Sequence, residues 1–228
     1  RSTRGDGTPY PDDFLEIARD WKKTEHNFWF SSEVTKRHYL VPRYYDRKTD
    51  LLLESDADKF NAQIISFEEM ISKEWISIRK GHEVGSEAYG TGDVPFVRTS
   101  DISNFEISID PTKSVANEVY ESLKLEQGLK PGSILMVVDG RYRIGRCAIL
   151  HETNYKCIAQ SHLRIINVSE NAPFTPFELL YLLSLSSVQR DIRSLVFIQS
   201  TLGALGSRIK EVKLPIPKNK STEFIESV

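Results

Sequence analysis

The sequence predicts a mixed α+β fold, with a mostly antiparallel sheet, flanking helices and a helical arm at the N-terminus. Three observations predict it. Two runs of strand formers, Ser133–Val138 and Ile144–Leu150, flank Asp139-Gly140, a dipeptide that reaches positive φ at little cost and so marks a hairpin turn. Thr175-Pro176-Phe177-Glu178 carries an N-cap, a proline at the first helical position and a capping-box glutamate. Short alternating segments between them are punctuated by glycine and proline, as in a sheet of short strands.

In chain order, Arg1–Tyr10 is broken by glycine and proline. Pro11-Asp12-Asp13 opens a helix, its acids suited to the positive N-terminal end, and Phe14, Leu15, Ile17, Ala18 and Trp21 form its apolar stripe. Aromatics follow at His26–Phe30, and Arg37–Tyr45 reads as extended around Pro42. This first stretch has too little apolar material for a core of its own. Residues 1–60 are therefore read as an arm or the tail of a preceding domain, with a boundary in polar Ser55–Phe60, and 61–228 as one domain. Ser66 and Glu69 form a capping box ahead of a short helix, and Trp75–Arg79 alternates as a strand. Gly81–Gly92 holds four glycines and reads as a long loop. Strands are expected at Val94–Arg98 and Asn104–Ile109, and a helix at Asn117–Leu125 with Val119, Leu123 and Leu125 turned inward. After the central hairpin a third strand runs from Lys156 to Ile166. The Thr175 helix keeps helical spacing through Phe177, Leu180, Tyr181, Leu185, Val188, Ile192 and Leu195, with a break expected near Ser186-Ser187. Phe197–Gly206 reads as a loop and Arg208–Pro215 as a last edge strand.

The 228 residues carry 27% charged and 39% hydrophobic side chains, an ordinary balance for a soluble globular chain. No apolar run approaches the roughly 18 residues a membrane span needs, so no membrane partner is expected and a cytoplasmic location is. Arg1 is not an initiator methionine, which suggests a piece of a longer protein. Cys147 and Cys157 fall in predicted strands and read as buried thiols, since two cysteines make neither a disulfide framework nor a metal site. The net charge of −2 is not that of a general nucleic-acid binder. Yet Lys130–Arg164 holds six basic residues against two acidic ones, a local excess that suits one DNA-facing surface.

Signals for catalysis are thin. The sequence has no G-x-x-x-x-G-K-[ST] cradle, no H-E-x-x-H and no cysteine cluster, so no cofactor and no metal is expected. An Asn-Pro-Pro-Tyr type motif is missing too, so the chain does not itself methylate adenine. The five histidines are scattered. Asp139 and Glu152, with Lys156 beyond, are the nearest approach to the paired acids of a metal-dependent nuclease.

Four segments, in order, resemble the target recognition domain of type I restriction–modification specificity subunits. VPFVRTSDISN (94–104) resembles that family's "ipfvRtgDi"; Lys130–Leu150 its "pGtil...G.iGk.ail"; AQSHL (159–163) its "nqhl" strand; and QSTLGALGSRIKEVKLPIP (199–217) its "gst...i....l..ipiP" closure. The resemblance covers about two-thirds of the chain, from Phe67 to Pro217. Two features depart from it. Pro217 is followed by Lys218-Asn219-Lys220 in place of Pro and Glu-Gln, and no long spacer helix follows. GDGTPYPDDFLEIARDWKK (5–23) is similar to the tail of N6-adenine DNA methylases, which suggests a methylase–specificity fusion.

The resemblance implies a strongly bent sheet and a non-catalytic module that binds double-stranded DNA. Its partners would be an N6-adenine methyltransferase domain or subunit and a restriction subunit, within a phage-defence system. It implies DNA contact at Arg98, Thr99 and Ser100; at Arg141, Tyr142, Arg143 and Arg146; at Gln160 and His162; and at Gln199, Ser200, Thr201, Arg208 and Lys210. Arginine, glutamine and hydroxyl side chains read base edges, and lysines and amides hold phosphates. Two rival classes stay open. One is a protein-interaction module that docks on a methylase through Trp21, Phe28, Trp29 and Phe30; the other is a nuclease built on Asp139 and Glu152.

Overall fold

The computed structural model describes residues 41–219, apart from residues 104, 141, 200 and 201. The expected first helix, the aromatic cluster and three of the candidate contact residues (Arg141, Ser200 and Thr201) lie outside the described residues. The chain divides into two compact units, 1–46 and 47–228. In the first, Pro42–Tyr45 forms a 3-10 turn where extended chain was expected; proline's fixed φ suits the first helical position.

The second unit opens with α1 (Arg47–Lys59), which has no counterpart among the expected elements and contains the polar Ser55 stretch. Its buried positions Thr49, Leu53 and Ala57 recur every four residues, a stripe too narrow to stand out among acids. Then come β1 (Ala62–Ser66), α2 (Phe67–Ser72), β2 (Ile76–Lys80), β3 (Phe96–Val97), β4 (Ile102–Ser103), β5 (Glu106–Ile107) and α3 (Asn117–Gln127). The second half comprises β6 (Ile134–Val137), β7 (Asp139–Gly140), β8 (Cys147–Ile149), β9 (Ile158–Ala159), β10 (Leu163–Val168), α4 (Pro176–Ser184), α5 (Ser186–Leu195), β11 (Phe197–Gln199), β12 (Leu202–Ala204) and β13 (Lys213–Pro217).

The main sheet is antiparallel throughout, in the order β2-β10-β6-β8. Every residue of β6 is buried, as its unbroken Ile-Leu-Met-Val run requires of a strand covered on both faces. Val97, Ile102, Leu135, Val137, Leu150, Leu163 and Ile165 form the core beside it. A second cluster, Val84, Val94, Phe96, Val115 and Ile158, sits under α3 and the glycine-rich loop. The β1–β13 pair packs against α1, and α1 against α5. Both expected capping boxes are present: Ser66 with Glu69 and Thr175 with Glu178.

Several expectations are corrected. The β6–β8 hairpin exists, with Ile134 opposite Ile149 and Met136 opposite Cys147, but Asp139-Gly140 is not its turn. That dipeptide is β7, paired with Ala204 and Gly203, and the chain reverses farther on, where Arg146 N donates to Arg143 O. Partners from a distant segment override the turn propensity. Phe197–Gly206 is for the same reason no loop: β11 and β12 pair with β7 as a three-stranded ribbon. The strand expected over Lys156–Ile166 is broken at Gln160, where β9 leaves to pair in parallel with β3. The last strand starts at Lys213, because Gly206–Glu211 is a 3-10 turn. Leu125 is 82% exposed and Phe177 55%, so neither faces inward. The helical break expected near Ser186-Ser187 is present, at Leu185.

Gly81 is where a side chain cannot be tolerated. A Cβ there would stand 2.1 Å from the Gln160 carbonyl oxygen and 2.4 Å from that of Ala159. The close pass lets β2 continue into His82, whose N–H donates to Ala159 O at 2.9 Å.

Candidate nucleic-acid interface

Four turns from separate parts of the sequence are tied into one face. The first is the 3-10 turn Thr99–Asp101. Asp101, 5% exposed, accepts from Arg98 N at 2.9 Å and Arg98 Nε at 3.2 Å through Oδ2, and from Arg98 Nη2 at 3.1 Å and Ser100 Oγ at 2.8 Å through Oδ1. Arg98 Nη2 also donates to Asp110 Oδ2 at 3.0 Å. Its hydrogen bonds to Asp101 raise the guanidinium above its usual range. Asp110 is held below the usual carboxylate range by hydrogen bonds from Thr112 first and by Arg98 second. Arg98 is thus a brace of the turn.

The second turn, Gln160–His162, lies between β9 and β10. Gln160 Oε1 accepts from Thr99 N at 3.4 Å, which couples it to the first. His162 Nδ1 lies 3.2 Å from Asp139 Oδ2 and couples it to β7. Arg164 below donates to the Ser161 and Leu163 carbonyls at 3.1 and 3.2 Å, and burial lowers its pKa.

The third turn follows β7. Arg143 reaches back to Ser100 O and Ile102 O, so it too is structural. Tyr142 is 86% exposed and Arg146 is exposed. Neither side chain has a hydrogen-bond or ion-pair partner among the described residues. The fourth is the β11–β12 ribbon. Arg208 locks its root: Nε donates to Leu195 O and Nη2 to Ala204 O, both at 2.8 Å, and the guanidinium lies 3.7 Å from the Phe197 ring centroid. Lys210 is exposed on the 3-10 turn Gly206–Glu211.

The candidate residues therefore divide. Arg98, Arg143 and Arg208 hold the face together. Ser100, Tyr142, Arg146, His162 and Lys210 are open to solvent, Thr99 and Gln160 are half-buried, and Gln199 lies on β11. Three features had no sequence signal. Gln127, 1% exposed, pairs with both backbone groups of Ala159, donating at 3.2 Å and accepting at 2.9 Å, and so holds α3 to β9. Its Nε2 also stands 3.2 Å from His82 Nδ1. Ile198 and Leu202 are exposed on a ribbon read as a loop.

The nuclease reading is overturned by register. Leu150 N donates to Ser133 O at the start of β6, whereas Asp139 lies beyond its end. Glu152 is thus separated from Asp139 by the length of β6, about 13 Å. Two carboxylates so placed cannot share a metal ion. Among the described residues no three His, Cys, Asp or Glu side chains converge. The residues of the protein-docking alternative, Trp21 and Phe28–Phe30, lie outside the described residues.

The chain matches no family profile and no curated protein. Among the solved structures it is similar to are three from type I restriction–modification systems. A type I S subunit from M. genitalium has 13% identity and a TM-score of 0.48, over 75% of this chain and 38% of that one. The HsdS subunit from Thermoanaerobacter tengcongensis has 17% identity and a TM-score of 0.45, over 86% and 44%. A chain from a structure of type I R-M complex assembly and conformational transition has 14% identity and a TM-score of 0.47, over 95% and 60%. This chain thus spans 38% to 60% of the length of its neighbours, and no residue role passes to it from them.

Proposed function

We propose that this chain is a sequence-specific recognition module for duplex DNA, as its sequence motifs suggest. One observation carries the reading. Three arginines that sequence alone would assign to DNA act as braces, Arg98 and Arg143 at the first and third turns and Arg208 at the fourth, while Gln160 and His162 join the second turn to the same face, and the side chains left open on it are suited to groove contact. Braced turns present side chains with little ordering cost on binding. Tyr142, His162 and Ser100 meet base edges, while Arg146 and Lys210 hold phosphate. The module directs an N6-adenine methyltransferase, and with it a restriction subunit, to the chosen site; that step rests on the motif resemblance alone. The location is cytoplasmic, where such partners meet DNA.

The test is a salt-dependent titration of the full chain with duplex DNA. Arg146→Ala plus Lys210→Ala should weaken binding by about ten-fold or more and lower the slope of log affinity against log salt by about 2. An unchanged affinity and slope in the folded double variant would remove this face from the interface.

A further inference from the structure

Nine large apolar residues are exposed among the described residues, and three of them, Tyr142, Ile198 and Leu202, belong to the β7–β12–β11 ribbon and the turn that continues it. Ile198 is 63% exposed and Leu202 59%. Gln199 stands opposite Leu202 and Ile198 opposite Gly203, so the two apolar side chains point to opposite faces of the ribbon. Ile198 lies on the face that Gly203 turns to the body and Leu202 on the other, and both side chains are exposed. A flat protein partner would cover one face of such a ribbon. A groove encloses both, and the major groove of B-DNA admits a two-stranded ribbon, which is what β11 and β12 form at the Gln199–Leu202 pair, beyond the pairing with β7.

Charge favours the same occupant. Gly140–Arg146 and Phe197–Lys210 contain no acidic residue, while Arg143, Arg146, Arg208 and Lys210 stand in them. The carboxylates that border these segments are Asp139, which faces His162, and Glu211, next to Lys210. Gly203 lets the ribbon lie close to the body: a Cβ there would stand 2.7 Å from Val196 Cγ1 and 3.3 Å from Ile144 Cδ1. Together with the Arg208 lock at the root, this fixes the direction of the finger.

In the major groove the one apolar group a base pair offers is the thymine 5-methyl. We infer that Ile198 and Leu202 enter the major groove and read thymine methyl groups, which makes the β11–β12 ribbon a specificity element for A·T pairs. The inference rests on the duplex-recognition reading and names what one part of that face selects.

The experiment is selection by the full chain from two randomised duplex pools, one made with thymine and one with uracil in its place. The thymine pool should yield a motif with at least one fixed A·T position that loses its preference in the uracil pool. In the recovered duplex, thymine-to-uracil replacement there should weaken binding by about four-fold, the effect of one exposed methyl group. Ile198→Ser with Leu202→Ser, both at exposed positions, should bind the thymine and uracil duplexes equally. A motif recovered equally from both pools, a motif with no A·T position, or a uracil penalty that persists in the double variant would overturn the inference and leave DNA recognition standing. Failure to enrich any motif from the thymine pool would overturn both.

Discussion

Arg143 donates from Nη1 to two carbonyl oxygens of one turn, Ser100 at 2.8 Å and Ile102 at 3.1 Å. The carbonyls gain a charged donor, and the turn is tied to the segment that carries Tyr142. Arg143→Ala should therefore act mainly on stability, by about 1–2 kcal/mol, because it leaves both acceptors without this partner. Arg146→Ala, three residues on, should leave the melting temperature unchanged and weaken duplex binding. Thermal melts and titrations of the two variants check this; equal melting temperatures would contradict the assignment of Arg143 as a brace.

Gly81→Ala should destabilise the fold by at least about 2 kcal/mol, since the new Cβ meets backbone carbonyls that cannot move without breaking the β3–β9 pairing. Gly85→Ala is the contrast. Its nearest atoms belong to the Glu87 carboxylate, the end of a flexible side chain, so the cost should be small. Denaturant midpoints of the two variants report the difference directly.

Asp191 supplies a pH dependence. It is buried on α5, accepts from Lys213 N at 2.9 Å, and burial pushes its pKa up to about 6. Folded chains then bind a proton more tightly than unfolded ones. Stability from this group is full below the unfolded value near 4 and is lost as pH rises to about 6, a total of about 3 kcal/mol. Asp191→Asn retains an acceptor for Lys213 N and removes the titration. The wild-type minus variant difference in unfolding free energy should fall across pH 4 to 6 and then level; a flat difference would contradict the assignment.

Cys147 and Cys157 are buried free thiols, and burial raises both pKa values to about 12. Thiolate is the reactive form, so neither should react with a disulfide reagent in the native chain, and both should react on unfolding. Rapid native labelling of either would contradict their placement.

The elements whose signals are local were legible in the sequence. Ser66–Glu69 and Thr175–Glu178 satisfy their own helix N-termini, so four residues carry the information. The β6–β8 hairpin was legible because its strands are unbroken apolar runs. Asp139-Gly140 misled because its partners, Gly203 and Ala204, lie over sixty residues on, and long-range pairing outranks turn propensity. Helix α1 was invisible because its buried stripe is one residue wide. At the candidate face the hydrogen bonds that sort the arginines were not legible. Arg98, Arg143 and Arg208 look alike in sequence to Arg146, and what separates them is the set of acceptors the fold brings within 3.3 Å.

The central claim is base-specific recognition of duplex DNA, and selection from a randomised duplex pool at low and moderate salt tests it most directly. A short motif that stays enriched as salt rises is the predicted result, because base-edge contacts persist where phosphate contacts weaken. Retention without enrichment, falling steeply with salt, or no retention at either salt would contradict it.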